Sequence, residues 1–244
     1  RRSKACGADG IPAEVYQCSP KARAMLYEIV KRAWREEDIP DEMVEGLFVM
    51  LFKNKGSPDD LSKYRAICLL NHSYKLLSSY LLFRLLKEVG HALPESQAGF
   101  RKKRGTRDNV YILARLIDQV IYAEKSCCVT FIDCSAAFDT ISHFFLDQAL
   151  EESEASPKCR AIFREIYRKA TARVKVRSSS GETLLSESFD VRRGVVQGDI
   201  FSPLCFILAL AIIMKRHLPP GGIASVGGAL GALLDSLEYA DDAA

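Results

Sequence analysis

The sequence predicts an α+β fold. Three observations carry that reading: stretches with apolar residues at helical spacing, short apolar or β-branched runs of strand length, and an interleaving of the two without a strict βαβ repeat. The chain has 244 residues, 48% apolar and 27% charged. Disorder would need fewer apolar residues and more net charge, and the length is enough to bury a sizeable core. The longest uninterrupted apolar run, Leu204 to Met214, is eleven residues, too short to span a bilayer. No apolar leader opens the sequence, so the expectation is a protein that is neither secreted nor membrane-bound.

Taken in order, Ser19-Pro20 reads as an N-cap with proline in the first helical turn. Met25, Leu26, Ile29, Val30, Ala33 and Trp34 then follow helical spacing. Leu47 to Phe52 reads as a strand, followed by the turn-rich Lys53 to Asp60. A second strand, Tyr64 to Leu70, leads into a helix over His72 to Val89 that stops at Gly90. Thr106 caps another helix, with Val110, Leu113, Ile117, Val120 and Ile121 on one face. Cys127 to Ile132 is nearly continuous in apolar or β-branched residues and predicts a central buried strand. Helices are expected at 143–152 and 157–170, the second started by Ser156-Pro157. Ala172 to Arg177 and Thr183 to Val191 flank a Ser- and Gly-containing turn and predict a hairpin. Ser202-Pro203 opens a strongly apolar helix through His217, which Pro219-Pro220-Gly221-Gly222 breaks.

Charge says little globally: 34 basic against 31 acidic residues leave +3, too small an excess to identify a polyanionic partner. Locally, Arg101-Lys102-Lys103-Arg104-Gly105-Thr106-Arg107 sets five cations in seven residues. Such a run is either a solvated face or a polyanion site. Eight cysteines, none in a C-x-x-C pair and most inside apolar segments, fit reduced buried thiols in an intracellular protein. They fit neither a zinc site nor a disulfide framework.

The acids are more telling. Asp133 stands where the expected buried strand ends, and a carboxylate there is costly unless paired, solvated or bound to a cation. A helix cap or salt bridge is the plain alternative, and Asp139, just ahead of Thr140-Ile141-Ser142, fits that role. Asp241-Asp242 follows Leu237-Glu238-Tyr239-Ala240 directly. Adjacent acids repel, so a turn holding them near a third acid needs a counter-charge. Two Mg²⁺ ions bridged by carboxylates are the arrangement used for in-line phosphoryl transfer. An exposed acidic tip serving solubility is the competing explanation.

Phe131-Ile132-Asp133-Cys134-Ser135-Ala136-Ala137-Phe138-Asp139 resembles the first catalytic motif of reverse transcriptases. The segment Arg193 to Leu204 resembles their R-x-G-x-x-Q-G-x-x-x-S-P motif, and Tyr239-Ala240-Asp241-Asp242 their Y/F-x-D-D motif. Gly7 to Pro12, Tyr64 to Asn71 and Ser96 to Arg101 resemble further blocks of the non-LTR retrotransposon group. Six motifs stand in the family's order. The resemblance implies a right-hand polymerase in which residues 1–125 are fingers-like and 126–244 form the palm, an antiparallel sheet packed on helices, with the thumb absent. It implies that Asp133, Asp241 and Asp242 hold two Mg²⁺ ions (Mn²⁺ as a substitute), with the Cys134 carbonyl as an extra ligand. Phe138 would sit under the sugar of an incoming dNTP, where it would clash with a 2′-hydroxyl; a core aromatic is its plain alternative. Gln197 and Gly198 would lie against the nascent base pair, and Lys53 and Arg65 would meet the triphosphate, with Lys55 competing for the role of Lys53. Arg101, Lys102, Lys103 and Arg104 become template contacts.

The implied partners are an RNA template with a DNA primer and dNTPs, without membrane or zinc, in an intracellular setting that in a eukaryote is the nucleus. Ala66 and Ile200 stand where the family usually has proline, and Ile207 where its palm helix often has Asn. The alternatives are a decayed RNA-binding relic and a group II intron-type enzyme. An aspartyl-phosphate phosphatase is set aside because Ser135 occupies its second acid position. The Asp241-Asp242 turn should be a hairpin tip without a returning strand, and the 244-residue chain alone is expected to be poorly stable and inactive.

Overall fold

The computed structural model describes residues 5–126, 128–134, 136–178, 181–217 and 236–243. A short helix α1 (Ala13–Cys18) leads into α2 (Pro20–Glu36), whose cap is the expected one: the Ser19 hydroxyl accepts the Ala22 N–H at 3.2 Å. Leu26, Val30 and Ala33 face the core, whereas Met25 and Ile29, on the same helical stripe in the sequence, stay exposed. After α3 (Asp41–Val44), strands β1 (Gly46–Phe52) and β2 (Tyr64–Leu69) pair antiparallel. Helix α4 (His72–Val89) follows.

Helix α5 (Thr106–Tyr122) begins one residue earlier than a Thr106 cap would place it. Gly105 is the cap residue, and its N–H donates to Asp108 Oδ2 at 2.8 Å. The single-turn α6 (Ala137–Thr140) precedes α7 (His143–Glu152) and α8 (Pro157–Lys169), capped by Ser142 and Ser156. Strand β3 (Thr171–Arg177) then pairs with β4 (Thr183–Leu185) and β5 (Phe189–Asp190). The expected single strand 183–191 is split because the Ser186 hydroxyl accepts the Val174 N–H at 2.9 Å, which takes a backbone acceptor's place in the ladder. Helix α9 (Ser202–His217) and a hairpin of β6 (Glu238–Tyr239) and β7 (Asp242–Ala243) complete the described elements.

The core lies among α4, α7, α8 and α9. Leu77, Leu81 and Leu85 of α4 meet Leu146 and Leu150 of α7, Ile162 and Phe163 of α8, and Phe201 and Ile207 around the start of α9, all fully buried. Such burial contributes about 1.5–3 kcal/mol for each large side chain.

Three expectations are corrected. The sheet, in order β2-β1-β3-β4 with β5 also on β3, is mixed rather than antiparallel, because β1 and β3 run parallel from Gly46↔Ala172 to Val49↔Lys175. The buried strand expected at 127–132 does not form among the described residues 128–134. Ile132 makes one isolated bridge there, and Phe131 is 73% exposed. Apolar character favours a strand, but a neighbouring ladder is what makes one. The acidic turn does have a returning strand, two residues long: Tyr239 pairs with Asp242 and Glu238 with Ala243. Cys127, Ser135 and the Pro219–Gly222 break lie outside the described residues.

Candidate active site

The hairpin turn is tight, with Ala240 and Asp241 as its two central residues. Ala240 sits at φ 56°, a left-handed conformation that usually goes to glycine. One side chain holds it there. Gln97 Oε1 accepts the Ala240 N–H at 3.0 Å and the Gly99 N–H at 2.7 Å. Its Nε2 donates to the Ala240 carbonyl and to Glu238 Oε2, both at 3.3 Å. Gln97 and Glu238 are 0% and 1% exposed. The backbone reinforces the contact, since Glu238 N–H donates to Ser96 O at 3.0 Å and Ala98 N–H to Glu238 O at 2.8 Å. Asn109 of α5 also donates to Glu238 O, at 2.9 Å. Gly99 is required by closeness: a Cβ there would stand 2.2 Å from the Ala240 nitrogen. Burial pushes the Glu238 carboxyl above its ordinary range, against the hydrogen bonds from Ser236, Ser96 and Gln97 that pull it down.

This turn leaves Asp241 half-exposed and Asp242 exposed, side by side. Their hard oxygen donors fit a divalent cation such as Mg²⁺. Asp133 lies on the exposed irregular segment before α6, and no group of three or more His, Cys, Asp or Glu disposed to hold a metal ion occurs among the described residues. Two of the three acids are therefore adjacent, and the third is not gathered with them.

The residues expected at the nucleotide divide between two faces of the sheet. Leu51 pairs with Arg65 and Val49 with Lys175. Strand alternation thus sets Arg65, Lys175 and Arg177 on one face. Lys53 follows two residues after Leu51, and its ammonium donates to Ser62 O at 2.9 Å. On the opposite face, Phe48 and Ala66 wall a cavity of about 160 Å³ together with Asp139, Val195 and Gln197. Gln197 Nε2 donates to Asp139 Oδ1 at 3.3 Å, so Asp139 is not the helix cap it was expected to be; Ser142 is. The Gln197 carbonyl accepts the Cys68 N–H at 2.9 Å, which seats the loop against the open edge of β2. Phe138 stacks on Phe206 of α9, with ring centroids 4.1 Å apart, and meets Phe100 edge-on.

Asp199, next after Gly198, anchors this loop. It is buried, accepts the Ser78 hydroxyl at 2.6 Å and the Ile200 N–H at 2.7 Å, and also bonds the Ser202 hydroxyl, which Tyr167 meets in turn. Burial pushes its carboxyl up, and those bonds oppose the shift.

The basic run separates into two kinds of residue. Arg101 is structural, donating to the Pro94 and Gln97 carbonyls at 2.6 and 3.3 Å, and both Arg101 and Arg104 pair with Glu95. Lys102 and Lys103 are exposed. Gln97, Glu238, Asp199 and Lys175 were not singled out from the sequence. Their one visible signal is polarity inside or beside otherwise apolar segments, which does not name a partner 141 residues away.

Residues 52–243 match the family described as Reverse transcriptase (RNA-dependent DNA polymerase). The chain is 25% identical over 77% of its length to the RNA-directed DNA polymerase from mobile element jockey of Drosophila melanogaster, covering 19% of that protein. It is 22% identical over 98% of its length to a retrovirus-related Pol polyprotein from the type-1 retrotransposable element R2 of Nasonia vitripennis, covering 22% of it. A probable RNA-directed DNA polymerase from transposon BS of Drosophila melanogaster is 26% identical over 99% of the chain, with 26% of that protein covered. The chain thus spans about a fifth to a quarter of the length of these curated relatives.

Proposed function

The chain belongs to the reverse transcriptase (RNA-dependent DNA polymerase) family, and from that premise we propose that it performs RNA-templated DNA synthesis for a non-LTR retrotransposon. Its ancestry is that of a nucleotidyltransferase. The observation that carries the reading is the presentation of Asp241 in, and Asp242 directly after, a docked two-residue turn. A primer 3′-hydroxyl attacks the α-phosphate of a dNTP paired to the RNA template, and pyrophosphate leaves. Asp241 and Asp242, with Asp133, would hold two Mg²⁺ ions. When bound, the ions lower the pKa of the attacking hydroxyl and stabilise the leaving group.

Residues 1–125 form the fingers-like part and 126–244 the palm. Arg65 and Lys53 meet the triphosphate from one side of the β2 edge, while Gln197 and Gly198 meet the new base pair from the other. The cavity that Gln197 walls with Phe48, Ala66 and Asp139 supports that reading. Phe138 lies under the sugar, where it would clash with a 2′-hydroxyl, and Lys102 and Lys103 contact template phosphates. The test is primer extension on an RNA template with Mg²⁺, using the full-length protein and its Asp241→Asn variant. Loss of incorporation in the variant is expected, and equal incorporation by both overturns the assignment.

A further inference from the structure

We infer that Gln97 is a positioning residue for the acidic pair: acting through the Ala240 peptide, it sets where the Asp241 and Asp242 carboxylates stand. The inference rests on the polymerase reading and adds a residue to it. The Gln97 amide uses both its oxygen and its nitrogen on this task, taking the Ala240 N–H and giving to the Ala240 carbonyl. That carbonyl belongs to the peptide joining Ala240 to Asp241. One planar group therefore fixes another, immediately before the first acid. The two remaining bonds of the amide, to Gly99 N–H and Glu238 Oε2, lock the amide itself. It sits fully buried, so it can neither rotate freely nor exchange these partners for water.

The arrangement has a physical need. Ala240 holds a positive φ without glycine's freedom, and the two acids after it repel each other. A two-residue hairpin is marginal alone. Left to itself, this turn would relax and spread the carboxylates. Gly99 admits the hairpin to within backbone contact, and the parallel bridge Gln97↔Glu238 fixes its register. Outer partners that orient ligand groups commonly govern metal affinity or activity by about 10–100-fold.

The experiment uses the full-length protein with Gln97→Ala and the volume-conserving Gln97→Met, beside the parent and Asp241→Asn. Four readouts are taken: kcat and KM for extension on primed RNA, the Mg²⁺ concentration giving half-maximal rate, Mn²⁺ binding followed by electron paramagnetic resonance, and amide hydrogen exchange over residues 236–243. Both Gln97 variants are expected to lose about 30-fold in kcat with KM for the primed template within about twofold, to bind Mn²⁺ about tenfold more weakly, and to exchange the Ala240 amide faster. Recovery of parent values by Gln97→Met would mean that Gln97 only fills space and would overturn the inference. Unchanged Mn²⁺ binding and Ala240 exchange in Gln97→Met overturn it too, and this variant carries that reading if Gln97→Ala does not fold. Failure of the polymerase reading is distinct: the parent then shows no incorporation that depends on Asp241, whatever the Gln97 variants do.

Discussion

A Cβ placed on Gly198 would stand 2.6 Å from the carbonyl oxygen of Cys68. Gly198 also holds φ at 118°, which L side chains rarely adopt. The loop after Gln197 is thus pressed against the edge of β2 as closely as backbone allows. Gly198→Ala should cost about 1–3 kcal/mol of stability, read as a lowered midpoint in urea unfolding. It should also raise the KM for dNTP. A midpoint equal to the parent's would show that the loop does not need this approach.

Asp199 ties that loop to α4 and to the start of α9. Asp199→Ala removes the acceptor that the Ser78 and Ser202 hydroxyls and the Ile200 N–H share, and leaves the buried Ser78 hydroxyl without the carboxylate it donates to. The expected loss is about 2–4 kcal/mol, with Asp199→Asn losing less because it keeps an acceptor. Equal losses for the two variants would mean that packing, not hydrogen bonding, is what Asp199 supplies.

Asp147 on α7 accepts Arg160 at 3.1 and 3.0 Å and Arg164 at 3.0 and 2.8 Å. Burial pushes its carboxyl up, but the bonds from the two arginines outweigh that and hold it below the usual range. A depressed folded value gives stability that is present above the unfolded carboxylate pKa and lost as pH falls through the folded one. Asp147→Asn should therefore flatten the acid limb of the stability curve, and Arg160→Ala should cost about 2 kcal/mol at neutral pH. Parallel acid limbs in Asp147→Asn and the parent would contradict the pairing.

Glu238 runs the other way. Its raised carboxyl favours the docked hairpin while protonated, so that contribution is complete below the unfolded value and is lost as pH rises through the folded one. Hydrogen exchange over residues 236–243, corrected for intrinsic chemistry, should quicken as pH rises. Glu238→Gln should remove the trend, and a pH-dependence that survives this substitution would assign it to another group.

The basic run should divide under mutation. Replacing Lys102 and Lys103 by Ala should lower the slope of log affinity against log salt for primed RNA by up to about 2. Arg101→Ala should mainly lower thermal stability, because its guanidinium holds the Pro94 and Gln97 carbonyls. An unchanged slope would leave the two lysines as solvated surface.

What could be read from the residues was local. Ser19-Pro20 and Ser156-Pro157 start helices because a cap and a fixed φ act over one turn, and both helices formed where those signals stand. The tight turn at Asp241 was legible for the same reason. The run Cys127 to Ile132 suggests a strand, but composition says nothing about whether a ladder lies alongside, and none forms among the described residues 128–134. Ser186, whose hydroxyl breaks a ladder, looks like any loop serine. The role of Gln97 depends on Ala240, 143 residues later, and only the assembled chain brings them together.

The parallel pairing of Gly46 with Ala172 has a consequence in time. At a synthesis rate of about 5–20 residues per second, β1 leaves the ribosome on the order of ten seconds before the strand that completes its second side. During that interval Leu47 to Phe52 can pair only with β2, and its other apolar edge is an invitation to any strand that passes. Sheet closure of such high contact order is slow even once the chain is complete. A nascent chain paused between α4 and α8 should therefore be the species that chaperones hold, and α4, α7 and α8, all made before β3, would form the platform on which it arrives.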